Sequence, residues 1–373
     1  MLVLTPTQLF TGAEFIEGAS VHMHDGRIVD ITRTAPAGAL ELKGVLAPGF
    51  IDAQINGGGG ILFNDAPTPD ALAMIAQAHH QFGVTGFMAT LISDEPNKIA
   101  ASFDAVEAAV LAGLEGVLGL HLEGPWLSEP RRGVHPSRHL RDFHEDELQL
   151  LARKRCFPLL VTLAPERISQ ERINALADAG LIISLGHTAA SSEEIDAALV
   201  AGAVGFTHVF NAMPPMEGRK PGAVGAALTH KEAWAGLILD GIHVHPVSAR
   251  VAFACKTAQK LMLISDAMAT VGTANDSMAL FGETIGLVGG ALRTASGTLA
   301  GAHLDMSQAV RNAVTLLGAT TSEALRMASL TPAEFLRVDH ERGRIAPRFR
   351  ADLVLLDSTL KVSATWIGGK QVH

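Results

Sequence analysis

Val117-Leu118-Gly119-Leu120-His121-Leu122-Glu123-Gly124-Pro125-Trp126 is the stretch on which the fold turns. An apolar run carries one histidine, ends on a carboxylate, and is then stopped by a glycine and a proline. Apolarity that is continuous rather than alternating belongs to a strand buried on both faces, as in a parallel sheet covered by helices. The same kind of run recurs at 50–54, 84–91, 159–163, 181–187, 204–208, 235–240 and 261–266, which with 117–123 makes eight. Helix-like stretches lie between them. One spans 70–81; another, 193–200, is opened by Ser191 with Glu194 three residues on, a capping-box pattern. Eight βα units predict an α/β fold, a (β/α)8 TIM-like barrel over residues 47–345.

The flanks read differently. Asp25-Gly26 and Gly368-Gly369 sit between short runs and are hairpin signals. Residues 1–46 and 346–373 are therefore predicted to pair into one small β-sandwich built from both chain ends.

Composition narrows the function. The 373 residues are 48% hydrophobic and 18% charged, the balance of a folded globular chain rather than a disordered one. A net charge of −9 disfavours a nucleic-acid or anionic-membrane partner, so an anionic substrate needs a local basic pocket. No apolar run approaches the roughly 18 residues of a spanning helix. The opening MLVLTPTQLFTGAEF lacks a basic leader, and a cytoplasmic location is expected. Cys156 and Cys255 are too few for a disulfide framework and are expected to be buried packing residues.

Reactive groups of such a barrel collect at the C-terminal ends of its strands, where the βα loops converge. Glu123 ends the third run, His187 the fifth, His208 the sixth and Asp266 the eighth. A histidine after a strand is commonly a hydrogen-bonded packing residue, and neither His187 nor His208 carries weight alone. Jointly, one glutamate and two histidines close three corners of a metal site and leave the fourth open, the catalytic arrangement for zinc. Asp266 then serves as proton shuttle for water acidified by the ion.

Other motifs stay open or bland. His22-Met23-His24 has ligand spacing but precedes a hairpin turn, and solvated strand positions explain it. His79-His80 reads as the end of a helix. His243-Val244-His245 follows the seventh run, at the active end, though one of the two can equally cap a helix. Gly57 to Gly60 lacks the lysine of a phosphate loop. Gly218-Arg219-Lys220-Pro221-Gly222 is either an exposed loop or a phosphate clamp.

Together, Pro48-Gly49-Phe50-Ile51-Asp52, His121 to Pro125, Gly186-His187-Thr188, His208 with Asn211-Ala212-Met213, Asp240 to His243 and Ser265-Asp266-Ala267 resemble the N-acetylglucosamine-6-phosphate deacetylase branch of the amidohydrolase superfamily. The tail, Gly343-Arg344-Ile345 through Ala351-Asp352-Leu353-Val354, resembles that superfamily's returning strand, and the likeness is collinear over nearly the whole chain. The resemblance implies a barrel of the metal-dependent hydrolase type, which removes the acetyl group from a phosphorylated amino sugar by attack of ion-activated hydroxide. It implies one divalent ion per subunit, zinc or another, on Glu123, His187 and His208, with Asp266 as general base and then acid and His135 polarising the acetyl carbonyl. It further implies substrate contacts from Asn211, Ala212, Gly301 and Ala302, and a homodimer in which Arg219 and His243 come from the neighbouring subunit. Most of the superfamily has a His-x-His pair where this chain has Gln54 and Asn56, both weak ligands, so a second metal position is expected to be vacant. The rival readings are an amidohydrolase for another amide, such as N-acetylgalactosamine 6-phosphate, and a catalytically silent barrel acting as a binding module.

Overall fold

Each of the eight runs becomes a strand because helices cover its outer face and side chains fill its inner one. The computed structural model describes residues 1–373. Its barrel strands, in order, are Phe50–Ile55, Val84–Ile92, Val117–Glu123, Leu159–Leu163, Ile182–Leu185, Gly205–Phe206, Trp234–Ile238 and Leu261–Ile264. They pair in parallel in chain order, giving a nearly closed (β/α)8 ring. The seam between the first and eighth strands is closed by main-chain and side-chain bonds. Asn56 and Gly57 N–H donate to Ala267 O at 2.9 and 3.0 Å, and the Asp52 carboxylate accepts from Ser265 N–H at 3.2 Å. Burial pushes the Asp52 carboxyl up to about 7, although hydrogen bonds from Ser265 and Gln54 oppose the shift.

The fifth and sixth strands stop short of His187 and His208. Both residues have left-handed backbones, with φ of 48° and 31°, and a left-handed residue cannot continue a strand. The helices follow their caps. Thr68 Oγ1 accepts from Ala71 N–H at the start of Pro69–His80, and Ser191 and Glu194 form the expected reciprocal pair before Ser192–Val200.

The two chain ends meet in one eight-stranded sheet with its own 13-residue apolar core, separate from the 83-residue core of the barrel. Leu40–Pro48 is its central joint, parallel to Leu2–Phe10 and antiparallel to Leu353–Leu356. Gly44 has φ +131°, and a Cβ there would lie 2.1 Å from Leu356 O, so the close strand approach requires glycine. The strand Leu40–Pro48 continues past residue 46, where the first segment was expected to end, and runs almost directly into the barrel at Phe50.

A third sheet was not foreseen. Ser277–Leu280, Glu283–Val288 and Ala291–Arg293 form an antiparallel flap between the eighth strand and helix Met306–Asn312. Its turns are Phe281-Gly282 and Gly289-Gly290, all with positive φ, as two-residue hairpins of this twist require. No helix is long and apolar enough to cross a membrane. Cys156 and Cys255 are exposed and free, contrary to the expectation of burial, because both fall on outer segments of the barrel rather than in its core.

Candidate metal-dependent active site

Glu123, at the end of the third strand, is the focus of the rim. Its Oε1 lies 2.9 Å from His208 Nε2 and 3.3 Å from His187 Nε2, and the two ring nitrogens are 3.1 Å apart. All three side chains are nearly inaccessible. Burial alone would raise the Glu123 carboxyl, but hydrogen bonding to His187 and His208, together with their charge, holds it well below the usual carboxylate range. His208 shows the reciprocal effect: burial works against its charged form, and the bond to Glu123 outweighs it and raises its pKa.

This donor set fits a divalent cation. His187 Nδ1 is 2.8 Å from the Arg131 carbonyl, which only accepts, so Nδ1 carries the proton and Nε2 offers a lone pair. That lone pair, the Nε2 of His208 and a carboxylate oxygen crowd one point, where a cation satisfies all three better than any shared proton can. His135 also approaches: a ligand atom from each of Glu123, His135 and His187 lies within 4.8 Å of the others. Its Nε2 is nevertheless 3.9 Å from the nearer Glu123 oxygen, farther than that of His187 or His208. Burial, reinforced by the neighbouring His187, lowers the His135 pKa to about 3 and keeps the ring neutral.

Asp266 faces the cluster from just beyond the eighth strand. Its Oδ1 accepts from Asn56 Nδ2 at 2.6 Å and from Gln54 Nε2 at 3.1 Å, while the same Gln54 nitrogen donates to Glu123 Oε1 at 3.0 Å. Gln54 thus bridges the two carboxylates through one amide nitrogen, while Asn56 donates to Asp266 alone. Burial, and next the Glu123 charge, pushes the Asp266 carboxyl up to about 6.

These groups open on a cavity of about 350 Å³ whose lining includes Asn56, Glu123, His135, His187, His208 and Asp266 together with Asn211, Ala212, His243 and Gly301. Backbone strain concentrates here: His187, His208, Phe210, Ala212 and Asp266 all have positive φ.

Three further predicted contacts, His243, Arg219 and Ala302, are placed as follows. His243 lines the cavity of its own chain, held by Asp240, whose two carboxylate oxygens accept from His243 N–H at 2.8 Å and pair with His243 Nδ1 at 2.6 Å. The turn after the seventh strand folds it inward. Arg219 is exposed and lines a neighbouring cavity with Lys220, Ser191 and Arg131, the last of which also lines the Glu123 cavity. Ala302 is fully buried behind the lining, where its main chain bonds to Asp266 O and Met268 N–H, so Gly301 and not Ala302 meets the cavity.

Several functional neighbours escaped the sequence. Ser93 contacts His135, Arg131 offers its carbonyl to His187, and Glu166 holds the loop after His187 by accepting from Thr188 Oγ1 at 2.6 Å and Ala189 N–H at 2.7 Å. The signal available was position: Ser93 and Glu166 follow the second and fourth strands, whose ends belong to the same rim.

Barrel, rim and buried carboxylate with paired imidazoles define a metal-dependent hydrolase of the amidohydrolase class, and the chain belongs to the amidohydrolase family, whose model matches residues 45–372. Among relatives, N-acetylgalactosamine-6-phosphate deacetylase from Shewanella sp. (strain ANA-3) is 41% identical, over 100% of this chain and 96% of its own length. N-acetylglucosamine-6-phosphate deacetylase from Homo sapiens is 38% identical over 88% of this chain and 83% of its own. The crystal structure of N-acetylglucosamine-6-phosphate deacetylase from Pasteurella multocida superposes with a TM-score of 0.95 at 29% identity, covering 99% of each chain.

Proposed function

We propose that this chain is a hydrolase that removes the acetyl group from N-acetylglucosamine 6-phosphate to give glucosamine 6-phosphate and acetate. The convergence of Glu123, His187 and His208 on one point, with Asp266 beside it, carries the reading. A divalent ion held by those three residues, zinc by the nature of the donors, would polarise the acetamide carbonyl and acidify water.

The remaining chemistry belongs to the chain. Gln54 and Asn56 both bind Asp266 Oδ1, which leaves Oδ2 to take a proton from the attacking water. Asp266 then returns that proton to the amine nitrogen, which departs as a neutral group when the C–N bond breaks. His135, neutral and buried, faces the carbonyl oxygen as negative charge grows on it. Asn211, Ala212 and His243 line the same cavity and are the residues to bind a sugar phosphate, a contact away from the reacting bond that aligns the amide. Arg219, which is not among the residues lining its own chain's cavity, reaches the phosphate from the second subunit of a homodimer. A phosphorylated sugar and two free cysteines suit the cytoplasm.

Acetate release from N-acetylglucosamine 6-phosphate tests the reading. Metal-loaded protein is expected to turn over, and chelation to abolish turnover; a loaded protein that releases no acetate overturns it. Elemental analysis is expected to find about one ion per chain. The galacto epimer is the second reading, favoured by the 41% identity to the Shewanella relative. Comparing kcat/KM for the two epimers decides between them.

A further inference from the structure

We propose that Ser93 is a positioning residue that fixes the tautomer of His135, so that this ring turns Nε2–H to the cavity while the adjacent His187 turns a bare Nε2. The assignment rests on the hydrolase reading for its catalytic meaning, though not for its geometry.

Ser93 directly follows the second barrel strand, Val84–Ile92. Its main-chain N–H points at His135 Nδ1 at 3.2 Å, and its Oγ lies 2.8 Å from the same nitrogen. A peptide N–H can only donate, so Nδ1 must accept, and the single proton of the neutral ring sits on Nε2. The hydroxyl has two places for its own proton, His135 Nδ1 at 2.8 Å and Glu123 O at 3.4 Å, and the nearer one takes it. The opposite tautomer would face Nδ1–H against the Ser93 N–H. Both residues are almost inaccessible, Ser93 1% and His135 2% exposed, so water cannot relieve that clash.

His187 is set the other way. Its Nδ1 meets the Arg131 carbonyl at 2.8 Å, an acceptor only, which leaves Nε2 bare. The two rings stand edge to face with centroids 4.5 Å apart. Both Nε2 atoms reach toward Glu123, at 3.3 Å from His187 and 3.9 Å from His135. Distance alone does not separate a ligand from a hydrogen-bond donor here, but the main chain does. His187 has an electron pair for a cation, whereas His135 has a proton for an oxygen that becomes negative.

Histidine-labelled, zinc-loaded protein reports both tautomers in long-range proton–nitrogen NMR spectra. The expected pattern is a bare Nδ1 with protonated Nε2 for His135, and a protonated Nδ1 for His187. Protonated Nδ1 on His135 overturns the assignment. Ser93→Ala keeps the peptide donor and removes the hydroxyl, so kcat is expected to fall about three- to tenfold with KM within about twofold. A fraction of Nδ1–H should appear in its spectrum, and Ser93→Cys should recover part of the rate. An alanine variant with unchanged kcat and an unchanged spectrum removes any role for the side chain. Wild-type protein that releases no acetate yet shows the expected tautomers would sink the hydrolase reading and leave the Ser93 assignment standing.

Discussion

The rim of the barrel and the sheet made by the chain ends are built from the same kinds of residue to opposite purposes. In the end sheet, non-glycine residues take positive φ at turns such as Asp25 and Arg348, outside the strands, and the core is thirteen apolar side chains. At the rim, the left-handed residues are Phe210 and four for which a function is proposed, His187, His208, Ala212 and Asp266. Polar atoms there are buried and bond to one another, as the two imidazole nitrogens 3.1 Å apart do. Regular packing stabilises one region; the other holds strain that the surrounding barrel must offset. Damage to the rim should therefore stop chemistry without unfolding the chain, and damage to the end sheet should do the reverse.

Asp266→Asn gives the largest effect in that comparison. It removes the proton acceptor but none of the three proposed ligands, so kcat is expected to fall by about 10²- to 10⁴-fold with metal content unchanged. Steady-state kinetics beside elemental analysis checks both halves. Near-normal kcat would mean that another group moves the proton.

Trp366→Ala tests the other side. Trp366 is 2% exposed in the core of the end sheet, and its truncation should cost about 3 to 5 kcal/mol of stability. The melting temperature should drop while kcat at low temperature holds. If kcat falls in step with stability, the two regions are not separable.

Arg219→Ala should act more gently and only through a partner. Loss of one guanidinium–phosphate contact is expected to raise KM about tenfold with little change in kcat. An unchanged KM would leave Arg219 as a solvated loop residue, the alternative that its glycine-flanked turn always allowed.

How much of this was legible follows from what each residue depends on. The eight strands could be read because burial on both faces demands continuous apolar runs, and Glu123, His187, His208 and Asp266 because they end those runs. Ser93 could not be read as a partner of His135, since 42 residues separate them and the bond runs through a main-chain N–H that any residue type except proline supplies. The flap was missed although Gly289-Gly290 marks one of its turns, because its strands are half exposed and too short for alternation to declare itself. The inward turn of His243 depends on Asp240 three residues earlier, a pairing visible in the sequence but equally compatible with an outward loop.

The smallest predicted effect lies at the junction of the two regions. Asp52 leaves the end sheet's neighbourhood, enters the first strand, and closes the barrel seam through Ser265. Its folded-state pKa is near 7, against an ordinary value of 3.8. Below about pH 4 the carboxyl is protonated whether the chain is folded or not, and it contributes nothing to pH dependence. Between about 4 and 7 the unfolded chain releases this proton and the folded chain keeps it, so stability falls as pH rises, and above 7 the loss is complete. Asp52→Asn carries no such proton. Relative to the parent, the variant should therefore gain melting temperature steadily from pH 5 to pH 8, by a few degrees at most, since the main-chain donors already offset part of the burial. A constant difference between the two melting curves across that range would show that Asp52 is ionised in the folded barrel throughout, and that its two donors outweigh its burial.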